Sequence, residues 1–168
     1  MAEKKYILSS KTAEKKLRRM ALEVAERNFD EHQIILIGIK DNGLVIAHII
    51  SHYLKEVFAG EVIVTALSLN KKMPDSITIS ADIDFNNKTI LLIDDVANSG
   101  KTMLYALKPL LATYPKKIQT LALLERTHKS FPIDVDYVGL SISTTLHEHI
   151  FVEVSGNAVT GVWMEMAP

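Results

Sequence analysis

Ile90-Leu-Leu-Ile-Asp-Asp-Val-Ala-Asn-Ser-Gly-Lys-Thr102 constrains this chain more than any other stretch. Four apolar residues run into the adjacent carboxylates Asp94 and Asp95. A short polar turn from Ala97 to Gly100 follows, and apolar residues at helical spacing begin at Thr102. The pattern predicts a buried parallel strand, a tight loop and the first turn of a helix. A loop in that position presents backbone N–H groups and the positive end of a helix dipole, a setting that favours phosphate. The paired carboxylates beside it suit hydroxyl groups, a hard cation, or both.

A second unit of the same kind lies upstream. Ile34 to Ile39 is a short β-branched run, Lys40-Asp-Asn-Gly43 is a turn, and Leu44 to Val57 has helical periodicity through Leu44, Ala47, Ile50, Ser51 and Leu54. Gly43 lets backbone approach a ligand closely. Before it, Thr12 to Asn28 reads as an amphipathic helix with Ala13, Leu17, Met20, Ala21 and Val24 on one stripe. Its outer face carries Lys15, Lys16, Arg18, Arg19 and Arg27, diluted by Glu14, Glu23 and Glu26. That face reads either as a solvated surface laced by i,i+4 pairs or as a contact for a phosphate backbone. Glu61 to Leu69 is a further strand. Asn70 to Ser76 is polar and broken by Pro74, either a hairpin tip or a mobile lid, and Ile77 to Ile79 returns as a short strand. Downstream, Thr102 to Leu111 is helical with Pro109 disturbing its end. Lys117 to Leu124 and Val135 to Ile142 are strands, and Phe151 to Val154 with Val159 to Met164 forms a C-terminal hairpin across Ser155-Gly-Asn157.

This alternation predicts one α/β domain over residues 1–168, with a mainly parallel twisted sheet, helices on both faces and a C-terminal β-hairpin. Ligands of such sheets bind at the carboxyl ends of strands, where both polar loops fall. The chain has no cysteine, hence no disulfide and no thiolate metal site. No apolar run approaches the roughly 20 residues of a transmembrane helix, and nothing at Met1–Leu8 resembles a signal peptide, so a cytoplasmic protein is expected. A net charge of −1 argues against general nucleic-acid binding by an overall basic field. Two histidine pairs are poor metal sites. His48 and His52 have no evident third ligand, and His147-Glu-His149 has Phe151 where a zinc-protease motif needs its second histidine.

Asn98-Ser-Gly-Lys-Thr102 invites a nucleoside-triphosphatase P-loop. That loop needs a glycine five residues before Gly100, and the residue there is Asp95, whose charge opposes a polyphosphate. The whole stretch instead resembles the phosphoribosyl diphosphate signature of type I phosphoribosyltransferases: four apolar residues, two acids, a short spacer, then Ser/Thr-Gly-x-Thr. Further segments resemble the subgroup of pyrimidine-operon attenuators that are also uracil phosphoribosyltransferases. These are Leu36-Ile-Gly-Ile-Lys40, Leu124-Glu-Arg-Thr-His128, Pro132-Ile-Asp-Val-Asp-Tyr-Val-Gly139 and Glu23-Val-Ala-Glu-Arg-Asn28.

The resemblance implies a magnesium-dependent transfer of phosphoribose from phosphoribosyl diphosphate to a free nucleobase, with uracil as first candidate. Asp94 and Asp95 become catalytic, accepting hydrogen bonds from the ribose hydroxyls and favouring positive charge on the ribose. Ala97, Asn98, Ser99, Gly100, Lys101 and Thr102 hold the 5′-phosphate, and Lys40, Asp41, Asn42 and Gly43 hold the diphosphate. Val96, Tyr137 and Val138 meet the base. Mg²⁺ is carried by the substrate, with Asp94 and Asp95 as candidate ligands, and residues 70–76 form the lid. A homodimer or homotetramer is implied as well. The alternative is a nucleotide-sensing, RNA-binding attenuation regulator with little catalysis. Departures from the subgroup cluster away from the phosphate loop. Asp41-Asn42-Gly43 replaces Thr-Arg-Gly, Leu69-Asn70 followed by Lys71-Lys72 replaces an aromatic and an arginine, and Thr144-Thr145-Leu146 replaces Thr-Ser-Arg. Arg18 and Leu22 stand where the relatives have threonine and histidine near RNA.

Overall fold

Side chains of successive strand residues point to opposite faces, and here the two faces feed two cores. Ile34, Leu36, Leu91, Ile93, Leu121 and Leu123 face one, while Ile35, Ile37, Ile90, Leu92 and Ala122 face the other. These residues are buried on both sides because the strands are central and parallel, which explains their unbroken apolar runs. The computed structural model describes residues 4–145 and 147–166, so Leu146 lies outside the described residues.

The elements in chain order are β1 (Lys5–Ser9), α1 (Ser10–Arg27), β2 (Gln33–Ile39), α2 (Asn42–Val57), β3 (Glu61–Leu69), β4 (Ile77–Ile79), β5 (Thr89–Ala97), α3 (Lys101–Ala106), α4 (Lys108–Leu111), β6 (Lys117–Arg126), β7 (Tyr137–Ile142), β8 (Glu148–Ser155) and β9 (Ala158–Met166). Six strands form a sheet in the order β4-β3-β2-β5-β6-β7, parallel except for β4. The stripe of α1 and the inner residues of α2 pack on the first core, and Met103, Ala106 and Leu110 of α3 and α4 pack on the second. The expected α/β architecture with helices on both faces is therefore present. Among the described residues no helix is long and apolar enough to cross a membrane.

The chain passes from β2 outward to β3 and then returns to place β5 on the other side of β2. The carboxyl ends of β2 and β5 thus flank the point where the winding reverses, the usual crevice for a ligand in such sheets.

Local differences from the sequence expectation have physical reasons. The turn after β5 is shorter than Ala97–Gly100, because Ala97 still pairs with Glu125 and is buried. The helix expected over Thr102–Leu111 is two short helices meeting at Leu107, since Pro109 enters the first turn of α4 without an N–H to continue the ladder. The strand expected from Val135 begins at Tyr137, and the C-terminal turn is Gly156-Asn157, with Ser155 still paired to Ala158. The hairpin also gains a third strand: β1 pairs antiparallel with β9, giving a second sheet in the order β1-β9-β8. Its inner residues Leu8, Ile150, Val152, Val159 and Val162 close the first core.

Candidate active site

β5 ends by carrying Asp94 to a position only 1% exposed. One oxygen, Oδ1, accepts from the Asp95 amide at 2.9 Å, and the Lys71 ammonium stands 3.2 Å from the same atom. Burial, and then the Asp95 charge, push the Asp94 carboxyl up to about 7, with Lys71 opposing the shift. Burial works against the Lys71 ammonium too, but Asp94 and Asp95 outweigh it and hold its pKa above the ordinary lysine value. Asp95 is more open. Its Oδ1 accepts from the Val96 amide at 2.8 Å and its Oδ2 from Asn42 Nδ2 at 2.9 Å, and Lys71 stands 4.0 Å from Oδ1.

Above the carboxylates the turn Asn98–Gly100 leads into α3. Gly100 has φ +85°, a left-handed conformation that side-chain-bearing residues rarely adopt. Ser99 anchors the turn twice: its hydroxyl accepts from the Lys101 amide at 3.3 Å, and its carbonyl accepts from Ser130 and Phe131, each at 3.0 Å. The result is an open cleft of about 210 Å³ lined by Lys71, every residue from Asp94 to Met103, and Ile150. The sequence-assigned carboxylates, phosphate loop and Val96 therefore share one cleft.

Residues 40–43 adjoin that cleft from behind. Gly43 packs so closely on β5 that a Cβ there would lie 2.7 Å from the Ile93 carbonyl oxygen. Lys40 and Asp41 are exposed at the end of β2, and the Lys40 amide donates to the Leu67 carbonyl. Asn42 turns its side chain onto Asp95 and the Val152 carbonyl.

Tyr137 and Val138, expected at the base by resemblance, are not among the residues that line this cleft. Tyr137 is fully buried at the start of β7; its hydroxyl donates to Gln119 at 3.0 Å and accepts from Asn28, and the Arg27 guanidinium lies 4.9 Å from the ring centre. It is a core residue with its polar tip satisfied. Val138 packs on the second core and offers its carbonyl to Arg19. Arg126, Thr127, His128, Ser130, Thr144 and Thr145, with Asn98 and Ser99 of the turn after β5, line an adjoining cleft. Arg126 donates to the Thr145 carbonyl at 2.8 Å, and the buried Thr144 hydroxyl has no hydrogen-bond partner among the described residues. The run Leu124-Glu-Arg-Thr-His128 carried this signal in the sequence, whereas Lys71 and Ile150 could be found only through the fold.

The loop 70–76 joins β3 to β4 as a hairpin connection and also lies over the cleft. Lys71 reaches the carboxylates, and Lys101 Nζ donates to the Lys72 carbonyl at 3.2 Å.

Residues 4–157 match the phosphoribosyl transferase domain family. The bifunctional protein PyrR of Clostridioides difficile (strain 630) is 32% identical over 164 residues, covering 92% of this chain and 93% of that protein. Bifunctional protein PyrR of Bacillus cereus (strain AH820) is 32% identical over 166 residues, 92% of each. The fold is that of the hypoxanthine phosphoribosyltransferase of Trypanosoma cruzi, with a TM-score of 0.78 at 14% identity over 98% of both chains. It is equally that of a hypoxanthine-guanine phosphoribosyltransferase (hpt-2) from Bacillus anthracis, with a TM-score of 0.76 at 16% identity over 99% of both. With the family model spanning most of its length, the chain belongs to the phosphoribosyl transferase domain family.

Proposed function

We propose that the protein transfers phosphoribose from phosphoribosyl diphosphate to a free nucleobase, with uracil as the first acceptor to test. One observation carries the reading: two adjacent carboxylates end β5 beside the turn that lines the same cleft, Asn98 to Thr102. The turn's amides and the Ser99 and Thr102 hydroxyls are matched to a 5′-phosphate. Asp95, the more open acid, accepts the ribose hydroxyls, with Asp94 behind it. As the bond from the ribose C1 to diphosphate breaks, positive charge builds on the sugar and the anionic pair favours it. A nitrogen of the base forms the new bond to C1 and loses its proton, while diphosphate leaves toward residues 40–43. The 70–76 loop, closed over this cleft, excludes water as a competing acceptor.

Magnesium fits the same place. The oxygen donors of Asp94 and Asp95 suit a hard cation, and the pair already accommodates the Lys71 ammonium. Among the described residues no cluster of three or more metal-ligating side chains occurs. Asp94 and Asp95 would therefore hold the ion together with substrate oxygens, and it would neutralise the diphosphate. A homodimer or homotetramer and a cytoplasmic location accompany the reading by resemblance.

The curated relatives are named bifunctional, which keeps an RNA-binding regulator as the second reading. Its motive was the basic face of α1, but Lys16, Arg19 and Arg27 donate to carbonyls of residues 136–139, and Arg18 lies over Tyr53. The test is a panel of free bases with phosphoribosyl diphosphate and Mg²⁺, following diphosphate release. Release with uracil supports the reading, and release with another base alone moves the acceptor. No release with any base, together with low-salt filter binding of pyrimidine-leader RNA, replaces it with the regulator.

A further inference from the structure

Asn42 is the first residue of α2, and its carboxamide meets two acceptors: Asp95 Oδ2 at 2.9 Å and the Val152 carbonyl at 3.0 Å. A carboxylate and a peptide carbonyl only accept, so the amide nitrogen must be the atom facing both. Its two hydrogens are then fully engaged. The uncharged side chain that stands where the subgroup has arginine is therefore turned away from a diphosphate and toward the carboxylate.

Three elements meet at this one group. Asp95 belongs to β5, and with Val96 N on Oδ1 and Asn42 on Oδ2 both its oxygens are held, so its orientation is fixed before any ligand arrives. Val152 belongs to β8, an edge strand of the second sheet. Two residues earlier on β8, Ile150 lines the donor cleft, and Thr144 and Thr145, which line the adjoining cleft, lie just upstream of the strand. Gly43, next in the chain, presses on β5 and leaves the start of α2 no room to shift.

We propose that Asn42 is a positioning residue that aims Asp95 at the ribose and locks β8, and with it the acceptor side of the cleft, to the donor site. The inference rests on reading Asp94 and Asp95 as the ribose-binding pair. Removing the carboxamide leaves Asp95 Oδ2 and the Val152 carbonyl unpaired. Asp95 then turns toward the Lys71 ammonium, and β8 loses its tie to the carboxylate. Donor binding in the intact protein is thereby felt on β8, and the coupling runs through a hydrogen-bonded group with named partners at each end.

Hydrogen–deuterium exchange of the full chain, with and without phosphoribosyl diphosphate and Mg²⁺, tests this. In the unsubstituted protein the donor is expected to protect residues 94–102 and residues 148–155 together. In Asn42→Ala the donor binds roughly tenfold more weakly, protection of 94–102 survives at saturation, and protection of 148–155 is lost. Asn42→Leu keeps the side-chain volume without a donor or a charge and supplies a second variant should the alanine protein fail to fold; it is expected to behave alike. Continued protection of 148–155 in the folded Asn42 variant, or protection of the unsubstituted protein that stops at 94–102, overturns the inference alone. No protection anywhere in the unsubstituted protein overturns the donor reading, and this inference with it.

Discussion

Asp94 concentrates the chemistry of the site in one buried carboxyl. Its folded pKa of about 7 lies above the ordinary aspartate value of about 3.9. The native state therefore binds more protons than the unfolded chain between these values. Stability present below about pH 4 is lost as the pH rises and is gone once the pH has passed about 7. The urea unfolding midpoint of the unliganded protein should fall across that window, and Asp94→Asn should flatten the fall; midpoints that fall equally with pH in the unsubstituted and Asp94→Asn proteins would refute the assignment. On the proposed reading, in which Asp94 acts as an anion toward the ribose, activity should move the other way. Asp94→Asn or Asp95→Asn is expected to lower turnover by more than about tenfold with the fold intact, read by steady-state diphosphate release. Gly43 is the backbone counterpart. A methyl group there meets the Ile93 carbonyl oxygen at 2.7 Å, so Gly43→Ala should cost about 1–3 kcal/mol by denaturant unfolding and weaken the donor. That the turn after β5 and both acids share one cleft was legible at this scale because they are contiguous. Asn42 on Asp95 and Lys71 on Asp94 were not, because these contacts join side chains 53 and 23 residues apart.

α1 shows what a basic face does when it is packed rather than read in isolation. β7 is an edge strand, and an edge offers unpaired carbonyls to solvent or to another chain. Lys16 donates to Gly139 O at 3.2 Å, Arg19 to Val138 O and Gly139 O at 3.2 and 3.3 Å, and Arg27 to Asp136 O at 3.3 Å. The helix thus covers that edge with cations, and its apolar stripe, buried residue for residue as its period requires, holds it there. Lys16→Ala/Arg19→Ala should lower the unfolding free energy by about 1 kcal/mol, these groups being partly exposed, and should promote self-association on sizing columns. An unchanged midpoint and elution volume would mean that the contacts are incidental. Period and charge identified the helix from sequence, but which strand lay beneath its cations depended on topology. The burial of Tyr137 was hidden for the same reason: its motif named a strand without saying which end of it faced the cleft.

The two ends of the chain meet in the second sheet, and this arrangement was the least legible of all. β1 has one fully buried side chain, Leu8, and no alternating pattern long enough to announce a strand; it exists because β9, at the other end of the sequence, supplies its hydrogen bonds. That pairing bears on the active site. β1 supports β9, β9 supports β8, and β8 brings Ile150 to the donor cleft and its Val152 carbonyl to Asn42. Removing residues 1–8 should therefore act at a distance. It uncovers one edge of β9 and takes Leu8 from the first core, a loss of about 1.5–3 kcal/mol from burial alone. For a domain of this size that corresponds to a fall of roughly 3–12 °C in the melting midpoint. Donor affinity should fall as well, although none of the described residues 4–8 lines the cleft. Because ligand binding stabilises only the folded state, saturating phosphoribosyl diphosphate with Mg²⁺ should recover part of the lost midpoint. A truncated chain that melts lower but binds donor as tightly as the full chain would show that the second sheet closes the core without holding the site. Equal loss in both measurements would show that the pairing of the two ends is part of how the cleft is built.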